Sequence, residues 1–285
     1  MSVTVVGSGN VDLVSQVERI PLPGETVLST GFATHAGGKG NNQATAAARA
    51  GATTTFVGAF GDDDNGARLR ESLTGSGVRP LVRTSDEPTG TALITVSATG
   101  ENAIVVNAGA NATLTDLTQE ERAAIAGADL VLMQLEIPLA TVVAAAEIAS
   151  GRVVLNAAPA QRLPCELLTH VDLLVVNEHE AALLGGADHL LTVVPALVVT
   201  LGAKGALVRT RDTTTEVPGI AVDVVDTTGA GDTFCGALVA ALDEHRPLDD
   251  AVRFASVAAA LSVRRAGAVP AIPTREEIDD FHPHD

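Results

Sequence analysis

Short apolar runs rich in Val, Leu and Ile alternate with Ala-rich stretches along most of the 285 residues. That alternation constrains the fold more than any other feature. Val3–Val6, Thr55–Val57, Leu130–Leu132, Val153–Asn156, Leu173–Val176 and Leu197–Thr200 read as buried strands. Asn41–Ala50, Leu139–Ala149 and Glu178–Leu184 read as helices between them. Strand, helix, strand in repetition predicts a parallel sheet covered by helices on both faces. Two late helices, about Gly231–Leu242 and Leu248–Arg265, have no strong strand after them and are expected to pack across the sheet.

Two segments break the rhythm. Val11–Ala36 carries Pro21, Pro23 and Gly24 among extended residues. Thr89–Asn107 alternates through Leu93–Val96, turns at Thr99–Asn102 and resumes with Ala103–Val106, which is a hairpin signal. Two extended excursions from an α/β core predict a small β lid over one edge. No internal repeat or low-complexity tract interrupts a single domain spanning 1–285.

Charge and composition exclude several classes of partner. Eighteen basic against thirty-five acidic residues give a net charge of −17, the wrong sign for nucleic-acid phosphates or an anionic membrane surface. With six Phe and no Trp or Tyr, there is little with which to stack bases. No apolar run approaches the ~20 residues of a membrane helix. The N-terminal MSVTVVGSGN lacks a basic region and reads as a first strand rather than a signal peptide. Cys165 and Cys235 form no metal spacing and are expected to be reduced thiols in the cytoplasm.

Three glycine-rich turns carry chemistry-bearing side chains. In Asp226-Thr227-Thr228-Gly229-Ala230-Gly231-Asp232, the glycines bring backbone amides close to a ligand just where a helix begins. Free N–H groups and the positive dipole end then favour a phosphate. A carboxylate beside such a site repels the phosphate unless it takes a proton from an attacking hydroxyl. The plainer alternative for Asp232 is a helix cap. Gly37-Gly38-Lys39-Gly40-Asn41-Asn42-Gln43 opens another Ala-rich helix and offers charge and amides to a polar ligand, without the pattern of a P-loop. Gly7-Ser8-Gly9-Asn10-Val11-Asp12 begins like a dinucleotide fingerprint, but Asp12 stands where the third glycine belongs. Asn10 and Asp12 suit sugar hydroxyls, and an ordinary turn explains them equally well.

Weaker signals follow other strands. Asn177-Glu178-His179-Glu180 fits either a hydrated Mg²⁺ or a helix start favoured by the dipole. Glu136, after Met133-Gln134-Leu135, is structural or functional on equal grounds. His282 and His284 lie in a polar tail and are expected to be solvated.

With GGKGNNQ, NEHE and DTTGAGDTF in this order, the chain resembles the ribokinase branch of the PfkB carbohydrate kinases. PLPGETV (21–27), NAGAN (107–111), MQLE (133–136), NAAPA (156–160) and REEID (275–279) extend the likeness from Val3 to about Phe281. The resemblance implies a three-layer α/β/α sandwich with a mostly parallel sheet, and a β lid that also pairs two subunits into a homodimer. It implies that Asp232 activates the sugar hydroxyl and that Gly229, Ala230 and Gly231 form the anion hole. Asn10, Asp12, Gly38, Lys39, Asn42 and Glu136 would hold D-ribose. Asn177 and Glu180 would serve nucleotide phosphates and Mg²⁺, while Thr200, Gly202, Gly205 and Ser256 would lie along ATP. Asp226, Thr228, Ser262, Arg265 and Gly267 would surround K⁺, mostly through backbone oxygens.

Three departures stand out against that family pattern. Gly185–Pro195 is short, which predicts a truncated surface helix. Ser256 replaces a His, and Ala271 replaces a Ser that often completes the cation site, which predicts a weaker K⁺ requirement. Within the family, Arg19 is the lid's only Lys or Arg, too little for a phosphosugar, and Phe32 is its only aromatic, too little for a nucleoside base. ATP-dependent phosphorylation of ribose at its 5-hydroxyl is therefore expected, with a nucleoside, deoxyribose or another simple sugar as the alternative acceptor. A binding protein without catalysis would be expected to have lost Asp232 or its glycines, and both are present.

Overall fold

A computed structural model describes residues 2–282; the tail position His284 lies outside them. The first half runs β1 (Ser2–Val6), β2 (Asn10–Val17), β3 (Gly31–Gly37), α1 (Lys39–Arg49), β4 (Thr53–Gly61), α2 (Asp64–Gly75), β5 (Arg79–Ser85), β6 (Gly90–Ser97) and β7 (Asn102–Asn107). It continues through α3 (Gln119–Ala126), β8 (Leu130–Met133), α4 (Leu139–Ile148), β9 (Arg152–Asn156), α5 (Cys165–Leu168), β10 (Leu173–Asn177), α6 (Glu178–Leu183) and α7 (Ala187–Leu190). The last elements are β11 (Ala196–Thr200), β12 (Gly205–Thr210), β13 (Thr214–Pro218), α8 (Ala230–Asp243), α9 (Leu248–Ser262) and α10 (Arg275–Asp279).

The main sheet has the order β13-β12-β11-β10-β9-β8-β1-β4-β5. Seven strands run parallel, and β12 and β13 complete one edge antiparallel. Successive side chains of a strand face opposite layers. Val3, Val5, Leu130, Leu132, Leu173 and Val175 accordingly pack in one core with α1, α2, α8, α9 and α10. Val6, Val131, Met133, Leu174 and Val176 pack in a second core with α3 to α7. Burial on both faces is why the inner strands read as continuous apolar runs.

The two late helices cover one face together with α1, as expected. Sequence reasoning missed β5, β12 and β13. β5 reads RPLVRTS and β13 reads TTEVP, both at sheet edges and both partly exposed, and edge strands carry charge and proline. β4 is longer than its expected core, Thr55–Val57, because Gly58 and Gly61 interrupt the apolar pattern. The short Gly185–Pro195 segment holds only the single-turn helix α7.

The excursions form a second, four-stranded sheet in the order β3-β2-β6-β7. Its two roots meet at one residue. Asn111 accepts from the Gly9 N–H (2.9 Å) and donates to the Gly9 carbonyl (3.1 Å) and Asn10 Oδ1 (2.8 Å). Gly90 opens β6 against the same pair: a Cβ there would lie 2.2 Å from Asn10 Oδ1 and 2.3 Å from Asn111 Nδ2. Thr89 is clamped by Asp63, which accepts its N–H (2.8 Å) and its hydroxyl (2.6 Å).

Helices α1 and α8 pack at unusually close range, and Gly236 permits it. A Cβ there would fall 2.5 Å from Ala46 Cβ, 2.5 Å from the Gln43 carbonyl and 2.7 Å from the Ala47 amide. In an ordinary helix interior, Gly→Ala stabilises by about 1 kcal/mol. Gly236→Ala should instead destabilise by roughly 1–3 kcal/mol, because the helices must separate. Chemical denaturation measures this, and a variant more stable than wild type would contradict it.

Candidate active site

Four elements deliver polar groups to one end of the main sheet, at the carboxyl ends of its parallel strands, where open α/β sheets bind ligands. The turn after β1, running into the start of β2, brings Ser8, Asn10 and Asp12. The start of α1 brings Lys39, Asn42 and Gln43. The segment after β8 brings Gln134 and Glu136, and the start of α8 brings Asp232.

Asp232 is 7% exposed. Its Oδ2 accepts from Asn42 Nδ2 (3.0 Å) and its Oδ1 from Gln43 Nε2 (2.9 Å). Glu136 Oε2 accepts from the Ser8 hydroxyl (2.5 Å) and the Lys39 amide (3.0 Å), tying the β1 turn to α1. Gly38 makes that junction possible, since at φ 87° a Cβ would lie 2.6 Å from the Asn10 amide nitrogen. Lys39 points its charge at this group. The Asp232 carboxylate, with help from Glu136 and Glu180, holds its ammonium above the usual range against the burial that lowers it. Asp12 is mostly buried; desolvation first, then the charges of Glu136 and Asp232, raise its pKa to about 7.

A cleft of about 150 Å³ opens beside Lys39, Asn177, Glu180, Thr200, Gly231 and Asp232. A larger depression of about 330 Å³ beside Arg209–Thr214, at the antiparallel edge, contains none of these groups. At the cleft, Gly229 takes the left-handed conformation (φ 73°) that starts α8, and a Cβ on Gly231 would meet nothing. No side chain caps α8, so its first turn presents free amides to the cleft. One expected donor is engaged: the Ala230 N–H closes a turn onto the Thr227 carbonyl (3.2 Å). Burial and the Asp232 charge push the Cys235 thiol far up in this wall.

The remaining expected residues divide. Asn177 and Glu180 line the cleft, and they also form a capping box: Asn177 Oδ1 accepts the Glu180 N–H (2.7 Å) and Glu180 Oε2 the Asn177 N–H (2.8 Å). The helix-start reading of NEHE therefore holds, and the capping box engages one of the two Glu180 oxygens. Thr200 lines the cleft, whereas Gly202, Gly205 and Ser256 do not. Gly205 is dictated by the fold, since its φ of 100° and a Cβ 2.1 Å from the Val217 carbonyl exclude other residues. The Ser256 hydroxyl donates to the Val252 carbonyl (2.8 Å).

The Asp226 and Gly267 loops do meet. Asp226 accepts from the Thr228 N–H (2.9 Å), the Thr228 hydroxyl (2.7 Å) and the Gly267 N–H (2.8 Å). Burial opposes ionisation of Asp226, but these hydrogen bonds and the nearby His35 outweigh it and hold the group below the usual carboxylate range. Ser262 donates to the Ala259 carbonyl (2.8 Å) and Arg265 pairs with Glu277. With those side chains engaged, backbone oxygens are what the loops can offer a monovalent cation.

Residues 1–275 match the family described as pfkB family carbohydrate kinase. The chain belongs to the pfkB family. Its relatives include the ribokinase of Haemophilus influenzae, 41% identical over 302 residues and 99% of each chain. The ribokinase of Thermotoga maritima superposes with a TM-score of 0.92 at 36% identity, covering 98% of each chain. The ribokinase of Arabidopsis thaliana, complexed with ribose and ATP, gives 0.91 at 33% identity over 99% of each. This pfkB member has the expected sandwich and lid, and no helix among its described residues is long and apolar enough to cross a membrane. The cysteines are free, Cys165 exposed and Cys235 buried, and His282 is exposed.

Sequence reasoning overlooked Asn111, Gln134 and Asn156, all within segments noted only for their likeness to the family. It also took Gln43 for a ligand contact, whereas Gln43 is fully buried.

The raised Asp12 pKa makes a stability prediction with a definite sign. Below the ordinary carboxylate value of 3.8, Asp12 is protonated folded or unfolded. As pH rises toward about 7, the unfolded chain ionises while the fold resists, so stability is lost across that window. Asp12→Asn should gain on wild type between pH 4 and 7, approaching roughly 2–4 kcal/mol, and bind sugar worse. Denaturation midpoints across that pH range measure this; a difference independent of pH would contradict it.

Proposed function

We infer that the protein transfers the γ-phosphoryl group of ATP to the 5-hydroxyl of D-ribose, giving D-ribose 5-phosphate and ADP. The observation that carries this is the convergence of Asp232 with Lys39 and the open first turn of α8. It places a base, a cation and free amides around one point, as in-line phosphoryl transfer requires. Ribokinases at 33–41% identity over nearly the whole chain, one of them complexed with ribose and ATP, support the same acceptor. The lid agrees: Arg19 is engaged by Glu25 (2.5 Å), leaving no free lysine or arginine for a phosphosugar.

In this reading, Asn10, Asp12, Gly38, Lys39, Asn42 and Glu136 hold the sugar under the lid. Asn111 accepts an unambiguous backbone donor, the Gly9 N–H, which turns its own amide NH₂ toward Asn10 Oδ1 and leaves Asn10 Nδ2 to donate to a sugar oxygen. Asp232 takes the proton of the 5-hydroxyl as the oxygen bonds to the γ-phosphorus and the bond to ADP breaks. Charge on the phosphoryl oxygens falls to Gly229 and Gly231 at the helix start and to Lys39, with the Ala230 N–H held in the turn that shapes this wall. Asn177, Glu180 and Thr200 face the nucleotide phosphates. Mg²⁺, held through water by Glu180, would neutralise phosphate charge. K⁺ on the backbone oxygens around Asp226, Thr228, Ser262, Arg265 and Gly267 would fix the loop that aims these amides. Ala271 offers no hydroxyl there, which weakens the requirement. With ATP as donor, the cytoplasm is the compartment proposed for this activity.

The lid also supports a homodimer. β7 is exposed along its whole length and ends the small sheet, with Ile104, Val105 and Val106 more than half exposed. An open edge of this kind pairs with another strand. Sedimentation should find a dimer at micromolar concentration that Val105→Asp converts to monomer; a monomeric wild type would reject the pairing.

A coupled ADP-release assay over ribose, deoxyribose, fructose 6-phosphate and adenosine tests the acceptor. Ribose should give the highest kcat/KM, with faster turnover in KCl than in choline chloride. Adenosine or fructose 6-phosphate turned over far more efficiently than ribose would overturn the assignment.

A further inference from the structure

Behind Asp232 lies an amide chain of which only Asn156 reaches the wall of the cleft. Gln43 and Gln134 are 0% exposed, and Asn156 is 8% exposed. Its polarity is fixed at one end by the backbone. Asn156 Nδ2 donates to the Val175 carbonyl (3.3 Å), an acceptor only, so Asn156 turns Oδ1 toward Gln43. Gln43 Nε2 then donates one hydrogen to Asn156 Oδ1 (3.0 Å) and the other to Asp232 Oδ1 (2.9 Å). Gln43 Oε1 accepts from Gln134 Nε2 (2.7 Å). All three polar sites of the Gln43 amide are taken. Turning it over would set its oxygen against two acceptors and its NH₂ against a donor, and buried mismatches of that kind are expensive.

We propose that Gln43 is a positioning residue for Asp232: its amide, locked by Asn156 and Gln134, fixes the carboxylate plane and the direction in which its free lone pairs point. This rests on the reading of Asp232 as the base. Asn42 holds the other oxygen, Oδ2, from the same helix. A carboxylate with a donor on each oxygen cannot rotate without breaking one hydrogen bond, and each oxygen keeps a lone pair for an incoming hydroxyl. The chain also joins α1 and α8 to the ends of β8 and β9, so Asp232 is registered against the sheet rather than against its own helix alone. Preorganisation of this sort raises kcat, because the base need not be reoriented during transfer.

The test is a double-mutant cycle of Gln43→Leu and Asp232→Asn, reading kcat by ADP release and ribose Kd by calorimetry. Gln43→Leu should lower kcat roughly 10–100-fold, as for loss of a hydrogen bond to a charged group, with ribose Kd changed less than about 3-fold. In the Asp232→Asn background, itself expected to lose roughly 10²–10⁴-fold, Gln43→Leu should cost nothing further, because its effect runs through the base. Equal losses in both backgrounds, or a folded Gln43→Leu with wild-type kcat, would overturn the proposal. If Gln43→Leu does not fold, Gln134→Met removes only the lock on Gln43 Oε1 and should give a smaller, equally non-additive loss of about 3–10-fold; unchanged kcat there overturns it. Wild-type turnover by Asp232→Asn would instead sink the base assignment itself.

Discussion

Helices α1 and α8 come from opposite ends of the chain and meet with a glycine between their backbones. That contact brings the site together. One turn before Gly236, α8 presents Asp232, and from the facing turn of α1, Asn42 and Gln43 reach its two oxygens. Hydrogen bonds near 3 Å tolerate little displacement. A helix separation set by an alanine instead of a glycine would leave both amides short of the carboxylate. The Ala-rich composition of the two helices serves more than helix propensity: with Gly236 it lets them approach so closely.

The site is electrostatically expensive in the absence of a ligand. Asp232, Glu136 and Glu180 act on one ammonium, that of Lys39, while Asp12 meets the like charges of Glu136 and Asp232. The strain appears as an Asp12 that resists ionisation, while hydrogen-bond donors on Thr228 and Gly267 stabilise the Asp226 carboxylate. In the proposed reaction a sugar's hydroxyls would donate to the crowded acceptors, and the phosphates would meet the positive end of α8 and Lys39. Complementarity to a polyol and an anion together is thus built into a chain whose overall charge is strongly negative. The lid is tied to the same place, since Asn111 fastens both of its roots to Gly9 and Asn10.

How much of this the sequence revealed depended on whether burial or local pattern carried the signal. The inner strands were legible because burial on both faces leaves only apolar residues. The edge strands β5 and β13 were not, because their exposed faces read as loop. Asp232, the α8 glycines and Lys39 stand in turns whose composition is itself unusual, so they could be found. Asn111, Gln134 and Asn156 were invisible because an amide in a connection or at a strand end has no chemistry until its partners, up to 113 positions away for Asn156, are known. Gln43 was misread for the same reason: beside Lys39 and Asn42 it looks like a ligand contact, and only its complete burial shows that it faces inward.

The account stands on Asp232 as the group that receives the acceptor's proton. A crystal structure with D-ribose and a non-hydrolysable ATP analogue tests this most directly. The 5-hydroxyl oxygen should lie about 3 Å from an Asp232 carboxylate oxygen, on the side not occupied by Asn42 and Gln43, and in line with the γ-phosphorus. A sugar bound with its 5-hydroxyl turned away from Asp232, or with another residue at hydrogen-bond distance in its place, would contradict it.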